Sequence, residues 1–204
     1  MFSGIIYDLG RVKVIRQGSG VKILTIALSK EILKPERGMS IAINGACLTA
    51  VSFKGVKEFS ADVTEETLKK TVLKAIKPGD EVNVEFPLTL DKFLSGHLVQ
   101  GHVDCTGKVA GMEKSGDKTV LSISHPKEFG KYIIEKGSVT VSGISLTAYN
   151  VKNNSFDIAI IPETWKSTIV KNLKRGDEVN LEFDVIGKYV EKFLSGNSNK
   201  KKGS

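Results

Sequence analysis

Two cysteines, Cys47 and Cys105, are all that 204 residues contain. That is too few for a disulfide framework and fits a reducing, cytoplasmic setting. No apolar run approaches the roughly 18–20 residues of a membrane span, so no membrane partner is expected. The opening MFSGIIYDLG lacks a basic stretch ahead of a long apolar one and does not read as a signal peptide. Aromatic residues make up 7% and do not interleave with basic ones. A barrel that binds single-stranded nucleic acid would need such residues to stack bases. The net charge of +7 is spread along the chain apart from the terminal NKKKGS, so it reads as solvated surface, with no nucleic-acid partner. A Walker loop, a GxGxxG turn and a GxSxG elbow are all missing, which leaves phosphate-cradle, dinucleotide and hydrolase readings without support.

What the chain does have is a repeat. Residues 66–86, ETLKKTVLKAIKPGDEVNVEF, match 163–183, ETWKSTIVKNLKRGDEVNLEF, at 13 of 21 positions. The same offset of 97 pairs GIIYDLGRV (4–12) with GHVDCTGKV (101–109) and ILTI (23–26) with VLSI (120–123). GACLTA (45–50) and GISLTA (143–148) pair at an offset of 98, and DKFLSG and EKFLSG at 100. The chain is thus two tandem copies, 1–97 and 98–195, with a tail over 196–204 that is expected to be disordered.

Each copy reads as a mainly β unit. RVKVI, KILTIAL, SIAI, EVNVEF, TVLSISH, SVTVSG and EVNLEF alternate apolar and polar residues. Pro78-Gly79-Asp80 and Arg175-Gly176-Asp177 place turns before the last strands. One helix per copy is predicted, over 65–75 and 162–173, with Thr64 capping the first and Pro162 opening the second. About six short strands cannot build two stacked sheets, so each copy is expected to close into a six-stranded Greek-key barrel, the two related by pseudo-two-fold symmetry.

Positions that serve the fold should agree between copies, and positions that do work need not. Cys47 faces Ser145, Ile5 faces His102, Asn44 faces Ser142 and Asp62 faces Ala159, while Thr49/Thr147, Glu66/Glu163 and Thr67/Thr164 agree. This is the pattern of two pockets that bind one type of ligand and treat it differently. Cys47 also fits a buried strand as a small hydrophobe, and the threonines suit strands without any function. His97 and His102 could be solvated turn residues. With Cys105 they hint at a metal, but a spacing of five puts them on opposite faces of one strand and no second ligand pair follows, so no metal is expected.

The words MFSGII (1–6), NGACLT (44–49), GHLVQGHVD (96–104), KGSVTVSGISLT (136–147) and IPET (161–164) together resemble the riboflavin synthase family of the α-chain type. The resemblance covers the whole chain, duplication included. It implies two six-stranded barrels at 1–97 and 98–184, a C-terminal helix at 185–195 and a homotrimer whose sites lie between subunits. It also implies a dismutation of two 6,7-dimethyl-8-ribityllumazine molecules without a cofactor. One molecule donates a four-carbon unit to the other. Riboflavin and 5-amino-6-ribitylamino-2,4(1H,3H)-pyrimidinedione result. Association with a lumazine synthase shell is a further partner that the resemblance leaves open.

The ligand-binding role carries onto Gly4, Ile5 and Ile6, and onto Cys47, Leu48 and Thr49. It carries onto the stretch Asp62, Val63, Thr64, Glu65, Glu66 and Thr67, and onto Gly101, His102 and Val103. In the second copy it falls on Lys136, on Ser145, Leu146 and Thr147, and on Ala159, Ile160, Ile161, Pro162, Glu163 and Thr164. His102 is the candidate proton carrier, because imidazole titrates near neutrality. Cys47 or Ser145 supplies or orients the nucleophile. A free thiol is mostly protonated at neutral pH, so a water-positioning role is equally open. One word departs from the family's pattern: Ser142 stands where an acid is usual, which would weaken the second half-site if that acid contacts ligand or orients Lys136. The apolar positions Ile186, Tyr189, Val190 and Phe193 share one face of the C-terminal helix and suit association. A carrier or antenna protein that binds lumazine without turnover is the rival reading, against which His97, His102, Ser145 and Thr147 all stand in place.

Overall fold

The alternating words fold as alternation dictates. A computed structural model of the chain describes residues 1–18, 20–116 and 118–198. The first copy supplies β1 (Asp8–Gln17), β2 (Val21–Ala27), β3 (Ser40–Ile43), β4 (Ala46–Lys54), β5 (Glu58–Thr64) and β6 (Glu81–Glu85). The second supplies β7 (Cys105–Ser115), β8 (Lys118–Ser124), β9 (Ser138–Val141), β10 (Ile144–Lys152), β11 (Ser155–Ile160) and β12 (Glu178–Phe183). Each set closes into an antiparallel barrel, in the orders β1-β2-β5-β4-β3-β6 and β7-β8-β11-β10-β9-β12. Closure leaves no strand with unpaired edges. The copies agree down to their irregularities. A bulge falls between Val12 and Val14 in β1, and its counterpart falls between Val109 and Gly111 in β7.

Each barrel has its own core. Leu24, Ile26, Ile41, Ile43, Phe59, Val82 and Val84 fill the first. Leu121, Ile123, Val139, Val141, Phe156, Ile158, Leu181 and Phe183 fill the second. Side chains of this size contribute about 1.5–3 kcal/mol each on burial, so each barrel holds enough apolar matter to fold around its own centre.

The two expected helices are each cut in half. α1 spans Glu65–Lys70, with Thr64 accepting from the Thr67 N–H at 3.2 Å, and a 3-10 turn follows at Val72–Ala75. α2 spans Pro162–Ser167, and its 3-10 turn is Ile169–Asn172. The breaks are Thr71 and Thr168, both in extended conformation. Their hydroxyls donate to Thr67 O at 2.6 Å and Thr164 O at 2.7 Å, and so take the place of main-chain helix bonds. The next N–H groups are captured from outside: Val72 N donates to Asn180 Oδ1 at 2.8 Å, and Ile169 N to Asn83 Oδ1 at 2.9 Å.

Those two asparagines join the barrels. Asn83 on β6 donates from Nδ2 to Ser142 O, and Asn180 on β12 donates to Asn44 O, each at 2.8 Å. Both are 1% exposed. These two side chains thus carry four hydrogen bonds across the pseudo-two-fold axis. Ser142 belongs to this junction. It sits in the turn between β9 and β10 at φ +46, its N–H donates to Asn180 O at 2.7 Å, and its Oγ accepts from Asn180 N at 3.3 Å. Its N–H and Oγ are engaged by Asn180 within the second barrel and its carbonyl by Asn83 of the first, so the serine takes part in the junction. Its counterpart Asn44, at φ +47, accepts from Asn83 N at 2.8 Å, a better bond on a residue more at ease in left-handed backbone. Ser142→Asn is therefore expected to stabilise the fold by about 0.5–1 kcal/mol with turnover unchanged. A lower melting temperature would show that the side chain does not fit the junction.

α3 runs Val185–Ser198, three residues past the expected end of the helix. Of the tail expected over 196–204, residues 196–198 continue α3 and 199–204 lie outside the described residues. Lys188 on this helix pairs with Asp104 at 2.6 Å, tying α3 to the second barrel.

Candidate functional site

Two short arms cross between the barrels. Residues 1–7 precede β1, yet Gly4 O accepts from Ser145 N of the second barrel at 2.8 Å. Residues 97–104 precede β7, yet Gly101 O accepts from Cys47 N of the first barrel at 2.8 Å. Both glycines need their missing side chain. Gly4 has φ +79 and an added Cβ would stand 2.5 Å from Ser145 Cβ; Gly101 has φ +80, with Cys47 Cβ at 2.6 Å. Each arm therefore lies on the strand of the opposite barrel. Phe2, fully buried, exchanges two main-chain hydrogen bonds with Val99 and fastens the arms together.

The first half-site lies on the outside of the first barrel. Ala46, Leu48 and Ala50 point into the core, so alternation turns Cys47 and Thr49 outward. Asp62 stands across from Thr49 in the β4–β5 register. A cavity of about 210 Å³ brings together Cys47, Glu66, Thr67, Lys70, Gly101, His102 and Val103. Six of the residues singled out in the sequence thus meet around one space. The Lys70 ammonium, 2.8 Å away, holds the Glu66 carboxyl below its ordinary range. Val103 packs on the first core, and His102 is exposed at the rim.

Other expected residues serve differently. Leu48 and Val63 lie in the first core and Ile160 in the second, so only their main chains are available to a ligand. Leu146 packs on the second core. Thr64 caps α1, and Glu65 pairs with Lys69 on its exposed surface. Lys136 is an exposed turn residue at φ +62 whose N–H donates to Ala148 O. It joins none of the groups described here.

The second half-site is built alike but finished differently. Ser145 and Thr147 face outward on β10, Ala159 is exposed on β11, and Ile161 leads into Pro162, Glu163 and Thr164 on α2. From the arm, Ile5 is half-exposed while Ile6 packs on the second core. Ser145 Oγ, however, lies 2.7 Å from His97 Nδ1, and His97 Nε2 lies 3.1 Å from Thr140 Oγ1. In a neutral ring one nitrogen donates and the other accepts. Burial pushes the His97 imidazole down, partly offset by the Asp184 carboxylate, so it stays neutral at physiological pH. Residues 97–104 form no strand beyond the single bridge of Val99 with Phe2, so the two histidines do not sit on opposite faces of one strand as their spacing predicts. The Ser145–His97 contact was missed in the sequence because it spans 48 residues. Among the described residues Cys47 has no such partner, which is the sharpest difference between the half-sites. Cys105 belongs to neither: burial on β7 pushes its thiol up to about 12, so it is inert at neutral pH.

The lumazine binding domain family matches the chain twice, over residues 3–87 and 100–184. Riboflavin synthase of Actinobacillus pleuropneumoniae is 41% identical over 194 residues, covering 95% of this chain and 90% of that protein. Riboflavin synthase of Bacillus subtilis is 36% identical over 201 residues, covering 98% and 93%. Among solved structures, LumP complexed with riboflavin superposes with a TM-score of 0.82 at 23% identity, covering 90% of this chain and 99% of that one. LumP with 6,7-dimethyl-8-(1'-D-ribityl) lumazine gives 0.80 at 22% identity. At those identities the two structures speak for the fold.

Proposed function

The chain belongs to the lumazine-binding, riboflavin synthase family, and from that membership we propose how its residues divide the work. The family reaction is the dismutation of two 6,7-dimethyl-8-ribityllumazine molecules to riboflavin and 5-amino-6-ribitylamino-2,4(1H,3H)-pyrimidinedione. The two substrates supply every atom of both products, so the balance needs no cofactor. One observation carries the reading: the paired arms set Gly101–His102 against Cys47 and Gly4–Ile5 against Ser145. Two related but unequal half-sites suit one molecule that must be held in two roles.

The chemistry asks that a proton leave the C7 methyl of one lumazine, that a nucleophile add at C7 of the other, and that donors meet the charge on the rings. His102 takes the proton at the cavity rim. Cys47 on one half-site and Ser145 on the other position the nucleophile. Thr49, Thr67, Thr147 and Thr164 read ring edges and ribityl hydroxyls. Holding both rings in an attack pose can lower the barrier by up to about 7–11 kcal/mol. That requires the half-sites to face each other, and we infer that they do so between chains of a homotrimer. On α3, Ile186, Tyr189, Val190 and Phe193 are each more than half exposed on one face, an apolar stripe that calls for cover. A cytoplasmic location suits its two unpaired cysteines. Docking with a lumazine synthase shell rests on the resemblance alone.

The protein mixed with 6,7-dimethyl-8-ribityllumazine in buffer alone is expected to form one riboflavin for every two lumazines consumed, and to sediment as three chains. Tight binding without riboflavin would make it a carrier, and a monomer at full activity would remove the shared site.

A further inference from the structure

The arm that carries His102 is gripped by a buried carboxylate that the reading above leaves without a role. Glu182, on β12 of the second barrel, is 3% exposed. Its Oε1 accepts from Gln100 N at 2.7 Å and its Oε2 from Gly101 N at 2.9 Å. Gly101 O in turn accepts from Cys47 N at 2.8 Å. One peptide run is therefore clamped on both sides, by the second barrel's carboxylate and by the first barrel's main chain. His102 is the next residue. The pseudo-symmetric Glu85 holds Ser3 N and Gly4 N in the same way, so the clamp is part of the repeat.

We propose that Glu182 is the positioning residue of the His102 arm: its carboxylate locks residues 100–101 against the first barrel, and protonation releases them. Only the ionised form can accept at both oxygens. The protonated form keeps one acceptor of full strength and turns a hydroxyl toward the second N–H. Burial raises the carboxyl to about 7, against the pull of the two N–H groups, so locking and release fall in the physiological range. The groups facing Glu182 are few. Lys188 of α3 favours the charged form, and Asp104 disfavours it. On β9 its register partner is Thr140, whose hydroxyl contacts the neutral His97.

The sign for stability is opposite to the sign for positioning. The folded protein holds this proton more tightly than an unfolded glutamate does, so the Glu182 contribution to stability is lost as pH rises from the ordinary glutamate range to about 7. The lock thus closes as that contribution disappears. His97, with its lowered value, acts in the reverse direction.

The proposal rests on His102 working beside Cys47, and the test separates the two. In Glu182→Gln the side-chain amide meets one of the two N–H groups donor to donor. Turnover at pH 8 is expected to fall about tenfold to a hundredfold, the scale of a misplaced catalytic group. Lumazine affinity should change little, and the acid limb of the wild-type pH–rate profile should vanish. In the wild-type protein, the amide resonances of Gln100 and Gly101 are expected to titrate together with a midpoint near 7, a readout that holds even if the variant folds poorly. Glu182→Gln at wild-type turnover across pH 6–8.5, or amide resonances that stay still over that range, would overturn the proposal. Titrating amides together with a fully active His102→Ala would instead sink the role of His102 and leave the clamp standing.

Discussion

His102→Ala is expected to lower turnover by about 10²–10⁴-fold, the usual worth of a positioned acid–base group, while lumazine binds nearly as before. The imidazole is exposed at the rim of the cavity that Cys47 and Thr67 share. Its side chain has no hydrogen-bond partner among the described residues, whereas both ring nitrogens of His97 are taken, by Ser145 and Thr140. A proton carrier needs a nitrogen that can meet substrate, and only His102 offers one at this half-site. Cys47→Ala should lower turnover in the same way, because the thiol faces the same space. The check is single-turnover riboflavin formation beside a fluorescence titration of lumazine. An equal rise in Kd and fall in turnover would mean that these residues bind rather than react, and wild-type turnover in both variants would end the assignment.

Asn180→Ala is expected to destabilise the protein by about 2–6 kcal/mol, since it leaves Val72 N–H and Asn44 C=O buried without partners at about 1–3 kcal/mol each. Asn83→Ala does the same to Ile169 N–H and Ser142 C=O. The two residues share the Asn44 and Ser142 turns, so their effects will not simply add. With both removed, the barrels keep their cores but lose these four buried or part-buried bonds, and the side-chain links left between them are on the surface, Asn172 with Glu81 and the Lys74–Glu178 and Lys171–Glu81 ion pairs. Calorimetry should then show two transitions in place of one. Activity should fall with the junction, because each arm is aligned on the opposite barrel. An Asn180→Ala protein within 0.5 kcal/mol of wild type would show that the junction rests on apolar contact instead.

Other parts of the molecule were legible along the chain because the physics there is local. Period-two alternation alone sets Leu24 and Ile26 inward and Thr25 outward, and doing this six times per copy leaves a closed barrel as the way to bury one face. The duplication was visible as matched words, and with it the pairing of Cys47 with Ser145. The capping of α1 by Thr64 also follows from neighbours in sequence. The length of the helices did not. Residues 65–75 have helix-forming composition throughout, yet Asn180 takes the Val72 N–H from the other barrel and the helix stops at Thr71.

The words EVNVEF and EVNLEF show most plainly where local reading ends. Alternation turns Asn83, Glu85, Asn180 and Glu182 to the outer face of their strands, which in a lone barrel is a solvated face. Here that face is buried, because the partner barrel and the crossing arms cover it. Two small β barrels, their repeat and the family to which they belong can be read from the chain. The placing of each arm on the opposite barrel, the meeting of His97 with Ser145 and the hold of buried glutamates on the arms emerge on folding. Those are contacts between residues 48 to 141 positions apart. They are set by how two finished barrels pack, and no local spacing encodes that.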